Sequence, residues 1–214
     1  MQLLSVNVAK KQKVAYGERE IETGIFKQAV ASPVRVMPDH IEGDEIADLK
    51  NHGGFSKAVY AYGYQHYDYW QQELNRAALP YGSFGENLTI SLLDEDEIHI
   101  GDTFQLGDAV LCVTQPRVPC FKLGIKFELN KMPRLFSNSL RTGLYLSVIE
   151  TGDVSIGDRF ELIQRQQNSV SIKDLFKAYF HTEKEQAKPI LEQALQVEAL
   201  SPEWRAQIEK YLAV

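Results

Sequence analysis

One pattern occurs twice in the chain and constrains its fold more than any other feature. The two copies, 98–106 and 154–162, share the sequence apolar-x-Ile-Gly-Asp-x-Phe-x-Leu. In each copy, apolar residues alternate with other residues on both sides of a Gly-Asp pair, a pattern typical of a β-hairpin. Together with strand-like runs around Leu111 and Leu146, the copies predict a mainly β fold, an antiparallel β-barrel with a few helices.

The C-terminal part of the chain has a helical periodicity instead. Apolar residues recur at the spacing of one helix face, at Ile172, Leu175, Phe176, Tyr179 and Phe180. Ser201 and Pro202 are the residue types that begin a helix, at its N-cap and first position. The sequence therefore predicts a β-barrel domain over 1–165 and a small three-helix module over 169–214.

Composition excludes several classes of function. The net charge of −6 argues against a nucleic-acid polymer or an anionic membrane as partner. Residues 165–214 carry seven basic and seven acidic residues with no basic stripe, so the helices are not a DNA-binding module. The longest apolar runs are too short to span a bilayer. Two cysteines without a CxxC motif exclude a disulfide scaffold, a four-cysteine cluster and a zinc ribbon, and favour a reducing cytoplasm.

A stiff loop presents one of the two cysteines. Pro116 and Pro119 restrict the backbone on both sides of Arg117, directly after a strand-like run. Arg117 and Lys122 flank Cys120, and nearby cations favour the thiolate, which acts as a nucleophile or a soft metal ligand. These residues alone are equally compatible with a half-buried structural cysteine.

A second candidate functional loop covers residues 43–54. It has little periodicity and ends in Gly53 and Gly54, which allow the backbone to approach a ligand closely. His52 precedes this pair, and Lys57 follows at the start of the next strand-like run.

Four segments in this order resemble the stand-alone MOSC-domain proteins of the YiiM type. They read D-x3-D-L-x2-H-G-G-x2-K-A-V-Y over 44–60, F-G-E-N-L over 84–88, I-G-D over 100–102 and Q-P-R-x-P-C-x-K-L over 115–123. The resemblance covers nearly the whole chain, because that group also has a C-terminal three-helix module, the three-alpha domain. It implies a MOSC-type β-barrel that binds the molybdenum cofactor as molybdopterin.

The resemblance also implies an activity and a metal ligand. The family's cysteine corresponds to Cys120, whose thiolate would bind molybdenum, a metal that suits soft sulfur ligands. The implied reaction is reduction of N-hydroxylated compounds, such as hydroxylaminopurines, hydroxylamines and amidoximes, to amines or amidines plus water. Because the chain lacks the cysteines for an iron–sulfur cluster, a separate electron-donor protein of reductase, flavodoxin or ferredoxin type is expected. A disulfide between Cys112 and Cys120 would contradict this role.

Residue types suggest how a pterin cofactor could be held. Cations for its phosphate or the metal's oxo groups are expected from Lys27, Lys57, Arg117 and Arg141, with Lys122 beside the thiolate. Backbone N–H groups are expected from Gly53 and Gly54, and contacts to the pterin edge from Asp48, Asn87 and Asn138. His52 is the candidate proton donor for cleavage of the N–O bond. Each polar side chain could instead cap a turn or remain solvated.

One position departs from the family pattern, and two other functions stay open. Leu140 stands where Gly is expected, and its lower backbone freedom puts the geometry of Asn138 and Arg141 in doubt. One alternative is a molybdopterin or sulfur carrier without turnover of its own. Another is a cofactor-independent enzyme with Cys120 and His52 as a nucleophile–base pair. The helical module could cover the barrel, mediate a homodimer or meet the electron donor.

Overall fold

A computed structural model describes residues 1–31, 33–48 and 53–213. Its strands are β1 Leu3–Val8, β2 Gln12–Tyr16, β3 Arg19–Thr23, β4 Gln28–Ala29, β5 Val34–Val36, β6 Val59–Gly63, β7 Leu88–Ile90, β8 Thr103–Leu106, β9 Ala109–Pro116, β10 Leu144–Glu150, β11 Gly152–Val154 and β12 Phe160–Gln164. The helices of the described part are α1 Tyr67–Glu73, α2 Phe121–Phe127, α3 Met132–Ser139, α4 Ile172–His181, α5 Lys184–Leu195 and α6 Pro202–Ala213. Short 3-10 turns cover Phe55–Lys57 and Tyr64–His66.

Eight strands form one mixed sheet in the order β12-β8-β9-β10-β6-β7-β1-β4. Neighbours are antiparallel except β6 and β7, which are parallel because the chain crosses between them through α1. Backbone hydrogen bonds of 2.9 Å join Leu3 to both Gly157 and Asp158, so the sheet curves until β1 meets the turn before β12. β12 and β4 are the edge strands of this sheet in the described part of the chain.

The predicted mainly β, antiparallel barrel is therefore wrong in three respects. The sheet is mixed and is not a closed barrel, and about as many described residues lie in helices as in strands. The parallel pairing of β6 with β7 was not predicted, because the sequence pattern of a strand does not specify which strands become its neighbours.

The repeated pattern does not form two hairpins either. The second halves of the two copies become β8 and β12, which pair with each other, and their Phe104 and Phe160 rings stack at 4.2 Å. In each copy the Asp carboxylate accepts a hydrogen bond from the backbone N–H three residues earlier, at 2.9 Å and 2.6 Å. The Gly before each Asp has φ of 87° or 98°, a conformation that glycine adopts readily. The repeat thus encodes a turn that starts a strand.

Three helices pack an aromatic layer against β6. Trp70 of α1 and Phe136 of α3 are fully buried, with their rings stacked at 5.7 Å beside the buried Phe84. Leu140 ends α3 with φ 57° and ψ 12°, the left-handed conformation in which Gly would be favoured. The side chain packs against the core, so tertiary contacts hold a conformation that costs Leu about 1 kcal/mol.

The three predicted C-terminal helices are confirmed as α4, α5 and α6. Ser201 begins α6 as predicted, because its hydroxyl oxygen accepts a hydrogen bond from the Trp204 N–H at 3.2 Å. Leu175, Phe176 and Trp204 share one hydrophobic core with the sheet. Since this core is continuous, the boundary between two domains at residues 165–169 stays a prediction. None of the helices in the described part of the chain has the length and apolarity needed to cross a membrane.

Candidate functional site

A cleft of about 630 Å³, including open solvent at its mouth, lies where the loops after β3, β5 and β9 meet β6 and β10. The cleft brings together seven residues that the sequence marked, namely Lys27, Asp48, Lys57, Asn87, Arg117, Cys120 and Lys122. They come from five separate stretches of chain, which folding brings together.

Cys120 lies in the cleft at the position just before α2. The fully buried strand β9 leads into its loop, and the backbone of Cys120 is extended, with φ −111° and ψ 169°. The Cys120 carbonyl accepts a hydrogen bond from the Leu123 N–H at 3.0 Å, which fixes the start of the helix. Both cysteines are thiols, and Cys112 is buried within β9. Burial raises the pKa of the Cys112 thiol, which keeps it protonated.

Arg117 supplies a buried cation beside Cys120. Its guanidinium lies 5.0 Å from the ring centres of both Tyr60 and Phe136. Burial lowers the pKa of Arg117, whereas the neighbouring Tyr60, Tyr145 and Cys120 groups raise it; the pKa is raised overall, so the guanidinium stays charged. Its Nη1 is buried and has no hydrogen-bond partner within residues 1–31, 33–48 and 53–213. An unpartnered buried donor is costly, so this atom is suited to an anionic ligand.

Lys27 and Asp44 form a buried ion pair in the lining of the cleft, here called the Lys27 wall. The Lys27 ammonium lies 2.5 Å from the Asp44 carboxylate, and their side chains are 9% and 3% exposed. Asp44 also accepts hydrogen bonds from the Ala9 N–H at 2.9 Å and from the Asn87 amide at 3.0 Å. Burial lowers the pKa of Lys27, and Asp44 opposes this shift. Asp44 therefore organises this wall.

Asn87 has a structural role that its residue type left open. Its carbonyl oxygen accepts a hydrogen bond from the Tyr60 N–H at 3.1 Å, and its amide donates to Asp44 and to the Asn7 carbonyl. The side chain therefore joins β6 to the Lys27 wall while facing the cleft. Its predicted contact with a pterin edge stays a prediction.

The C-terminal module also reaches this site. The Lys57 ammonium contacts the carboxylate of Glu203, in the first turn of α6. Only 10% of the Lys57 side chain is exposed, whereas Glu203 is 48% exposed. The module thus contributes a charge to the cleft.

Four predicted cofactor residues do not line the cleft. Arg141 donates to the Ser139 carbonyl at 3.1 Å and lies 4.0 Å over the Tyr69 ring. Asn138 is exposed on α3, and Gly53 and Gly54 lie outside the lining. His52 falls outside the described residues, so its role as a proton donor stays a prediction.

Sequence reasoning missed three residues of the site. Asp44 belonged to a quoted motif, but nothing local indicated its pairing with Lys27. Tyr145 lies between the buried Leu144 and Leu146 on β10, so alternation could have placed it on the cleft face. Burial raises the pKa of Tyr145, which keeps its hydroxyl protonated and able to donate a hydrogen bond. Glu203 had no local signal.

Comparison with known proteins agrees with this architecture. The MOSC domain family model matches residues 48–161, and the model for the YiiM-like, 3-alpha helix domain matches 170–214. The uncharacterized protein YflK of Bacillus subtilis (strain 168) is 40% identical over 208 residues, covering 97% of this chain and 93% of YflK. The crystal structure of YiiM from Geobacillus stearothermophilus superposes with a TM-score of 0.83 at 31% identity, covering 99% of this chain and 98% of that one.

A third relative carries a functional name. A protein of Gibberella moniliformis (strain M3125 / FGSC 7600) named "Reductase" is 37% identical over 169 residues, which cover 76% of this chain but 29% of that protein. Most of that protein therefore has no counterpart here. With both family models matched in the expected order, the chain belongs to the MOSC-domain family, in the stand-alone YiiM type that carries a C-terminal three-helix domain.

Proposed function

We propose that this protein is a molybdenum-cofactor-dependent reductase of N-hydroxylated compounds, with the Cys120 thiolate as the molybdenum ligand. The observation that carries the proposal is the presence, in one cleft, of the Cys120 thiol and the unpartnered buried Nη1 of Arg117. A thiolate is a soft ligand for molybdenum, and a guanidinium binds phosphate or oxo groups. The residues present therefore fit an anionic, metal-carrying cofactor.

The remaining cleft residues support the same chemistry. The cleft lining holds four cations, Lys27, Lys57, Arg117 and Lys122, and three carboxylates, Asp44, Glu45 and Asp48. Asp44 contacts Lys27 and Glu203 contacts Lys57, so part of the positive charge is compensated. The cations of the Cys120 loop, Arg117 and Lys122, are suited to an anionic ligand next to the thiol.

The proposed reaction is a two-electron reduction that consumes two protons. R–NH–OH becomes R–NH2 and water: the N–O bond breaks, and the hydroxyl leaves as water. The bound cofactor would transfer the two electrons, which a separate electron-donor protein of reductase, flavodoxin or ferredoxin type replaces. Proton delivery falls to this chain, and His52 remains the proposed donor.

Metal content tests the proposal. Protein is purified anaerobically from a host that makes the cofactor, as wild type, Cys120→Ala and the control Cys112→Ala. We expect near-stoichiometric molybdenum and pterin in wild type and Cys112→Ala, and at least a tenfold loss of molybdenum in Cys120→Ala. The control removes the thiol that is buried in β9, 8% exposed, so it separates metal ligation from loss of a cysteine.

Turnover is measured next, with a hydroxylaminopurine and reduced viologen as electron donor. Production of the aminopurine by wild type, and loss with Cys120→Ala, supports the reductase. Bound molybdenum without turnover would point instead to a cofactor carrier. Wild-type protein that contains no molybdenum, and takes up none when cofactor is added, would contradict the proposal.

A further inference from the structure

The carboxylate of Glu203 links the last helix to the cleft. Glu203 lies in the first turn of α6, and one of its oxygens accepts a hydrogen bond from the Lys57 ammonium. Lys57 lines the cleft and is nearly buried, so this contact crosses from the helical module into the candidate site.

Several contacts hold Glu203 in place. Ser201 caps the start of α6, and its N–H donates to the Thr114 carbonyl of β9 at 3.2 Å. Trp204, next to Glu203, is 1% exposed and anchors the first turn in the core. The Gln207 amide donates to the second oxygen of Glu203 at 3.3 Å. The carboxylate is therefore presented from a fixed helix end.

The 3-10 turn that carries Lys57 is tied to the same strand. The Thr114 hydroxyl donates to the Ser56 carbonyl at 2.6 Å, and the Lys57 N–H donates to the Gly54 carbonyl at 2.9 Å. Lys57 and the start of α6 thus both attach to β9, the strand that leads to Arg117 and Cys120.

We infer that Glu203 is a positioning residue of the cleft, which holds the Lys57 ammonium and competes with an anionic ligand for it. A phosphate group that binds Lys57 must share the ammonium with Glu203 or displace it, so the carboxylate weakens anion binding. Because coupling between two sites is reciprocal, an anion in the cleft weakens the contact of the helical module with Lys57 to the same extent.

The field of Glu203 extends into the cleft beyond Lys57. Burial raises the pKa of the Tyr145 hydroxyl, and the negative charge of Glu203 contributes to this rise. The inference depends on the proposed function in one respect: it takes the phosphate group of the cofactor as the anion that binds in the cleft. The three-helix module then sets how tightly the cleft holds that phosphate.

Binding of inorganic phosphate by cofactor-free protein tests the inference, with calorimetry at low ionic strength. We expect Glu203→Gln to tighten phosphate binding by about threefold to tenfold, the range for a partly exposed ion pair. Glu209→Gln removes the same charge from an exposed position on the same helix and controls for net charge. We expect no comparable gain from it.

A double-mutant cycle separates competition from a structural effect. Lys57→Gln should weaken phosphate binding, and adding Glu203→Gln to it should then produce a clearly smaller gain than in the wild-type background. An equal gain with and without Lys57 would overturn the inference, as would equal binding by Glu203→Gln and Glu209→Gln. Absence of phosphate binding in wild type and in Glu203→Gln would also overturn it. Because no molybdenum is involved, these results are distinct from the metal analysis that tests the proposed function.

Discussion

Lys126 allows a quantitative test of the electrostatics behind the cleft. Its ammonium donates to the carbonyls of Ile25 and Gly82, at 2.8 Å and 2.5 Å, beneath the Lys27 wall. Burial lowers the pKa of Lys126 to about 8. The Glu86 carboxylate opposes the shift, and the neighbouring cations Lys27 and Arg117 add to it.

The direction of the pH dependence follows from proton binding. Below pH 8 Lys126 is protonated in both the folded and the unfolded chain. Between about pH 8 and 10.5, the unfolded chain binds a proton that the folded chain has lost, so raising the pH favours folding. At about 1.4 kcal/mol per pH unit, this lysine should increase the free energy of unfolding by about 2.5 kcal/mol from pH 7 to pH 10.

Substitution by methionine isolates this contribution. In Lys126→Met the increase is absent, so the free energy of unfolding of wild type minus that of the variant should rise by about 2.5 kcal/mol over this pH range. Urea denaturation at pH 7, 8, 9 and 10, followed by tryptophan fluorescence, measures this difference. Lys177→Met removes a charge from an exposed position and controls for the net charge of the chain. A constant difference, or one that falls with pH, would refute the reasoning.

Two further substitutions test the walls of the cleft. Asp44→Asn removes the carboxylate that Lys27 contacts at 2.5 Å, and should cost about 3 kcal/mol, or about 10 °C in melting temperature by calorimetry. A loss below 2 °C, or one equal to that of the exposed control Asp108→Asn, would contradict a buried ion pair. Gly24→Ala would place a Cβ 2.3 Å from the Glu45 carbonyl oxygen, so we expect about 2 kcal/mol of destabilisation and weaker phosphate binding. Unchanged phosphate affinity would show that the two loops adjust without moving the cleft.

The sequence predicted those parts of the site whose signals are local. The apolar run from Ala109, the prolines around Arg117 and the cations beside Cys120 all lie within residues 109–123, so their neighbourhood did not depend on the fold. The C-terminal helices were likewise predictable, because helical periodicity and the Ser201 cap act within a few residues.

Long-range pairings carried no such signal. The repeated Gly-Asp turns were recognisable, but their strands pair with each other across more than fifty residues instead of within each copy. Arg141 was assigned from residue type alone, yet it lies over the Tyr69 ring. Leu140 shows the reverse effect. Its residue type disfavours the left-handed conformation, but contacts with the hydrophobic core hold its backbone at φ 57°.

The distribution of charge explains why whole-chain composition said little about this site. The chain is acidic overall, but Lys27 and Arg117 line the same cleft as Cys120, and both act electrostatically on the buried Lys126. Carboxylates compensate part of this charge, Asp44 by direct contact with Lys27 and Glu86 through its field at Lys126. Arg117 instead stacks on aromatic rings and keeps an unpartnered N–H. Since the compensated lysines already have anions nearby, an incoming anion gains most at Arg117, next to the thiol that would hold the metal.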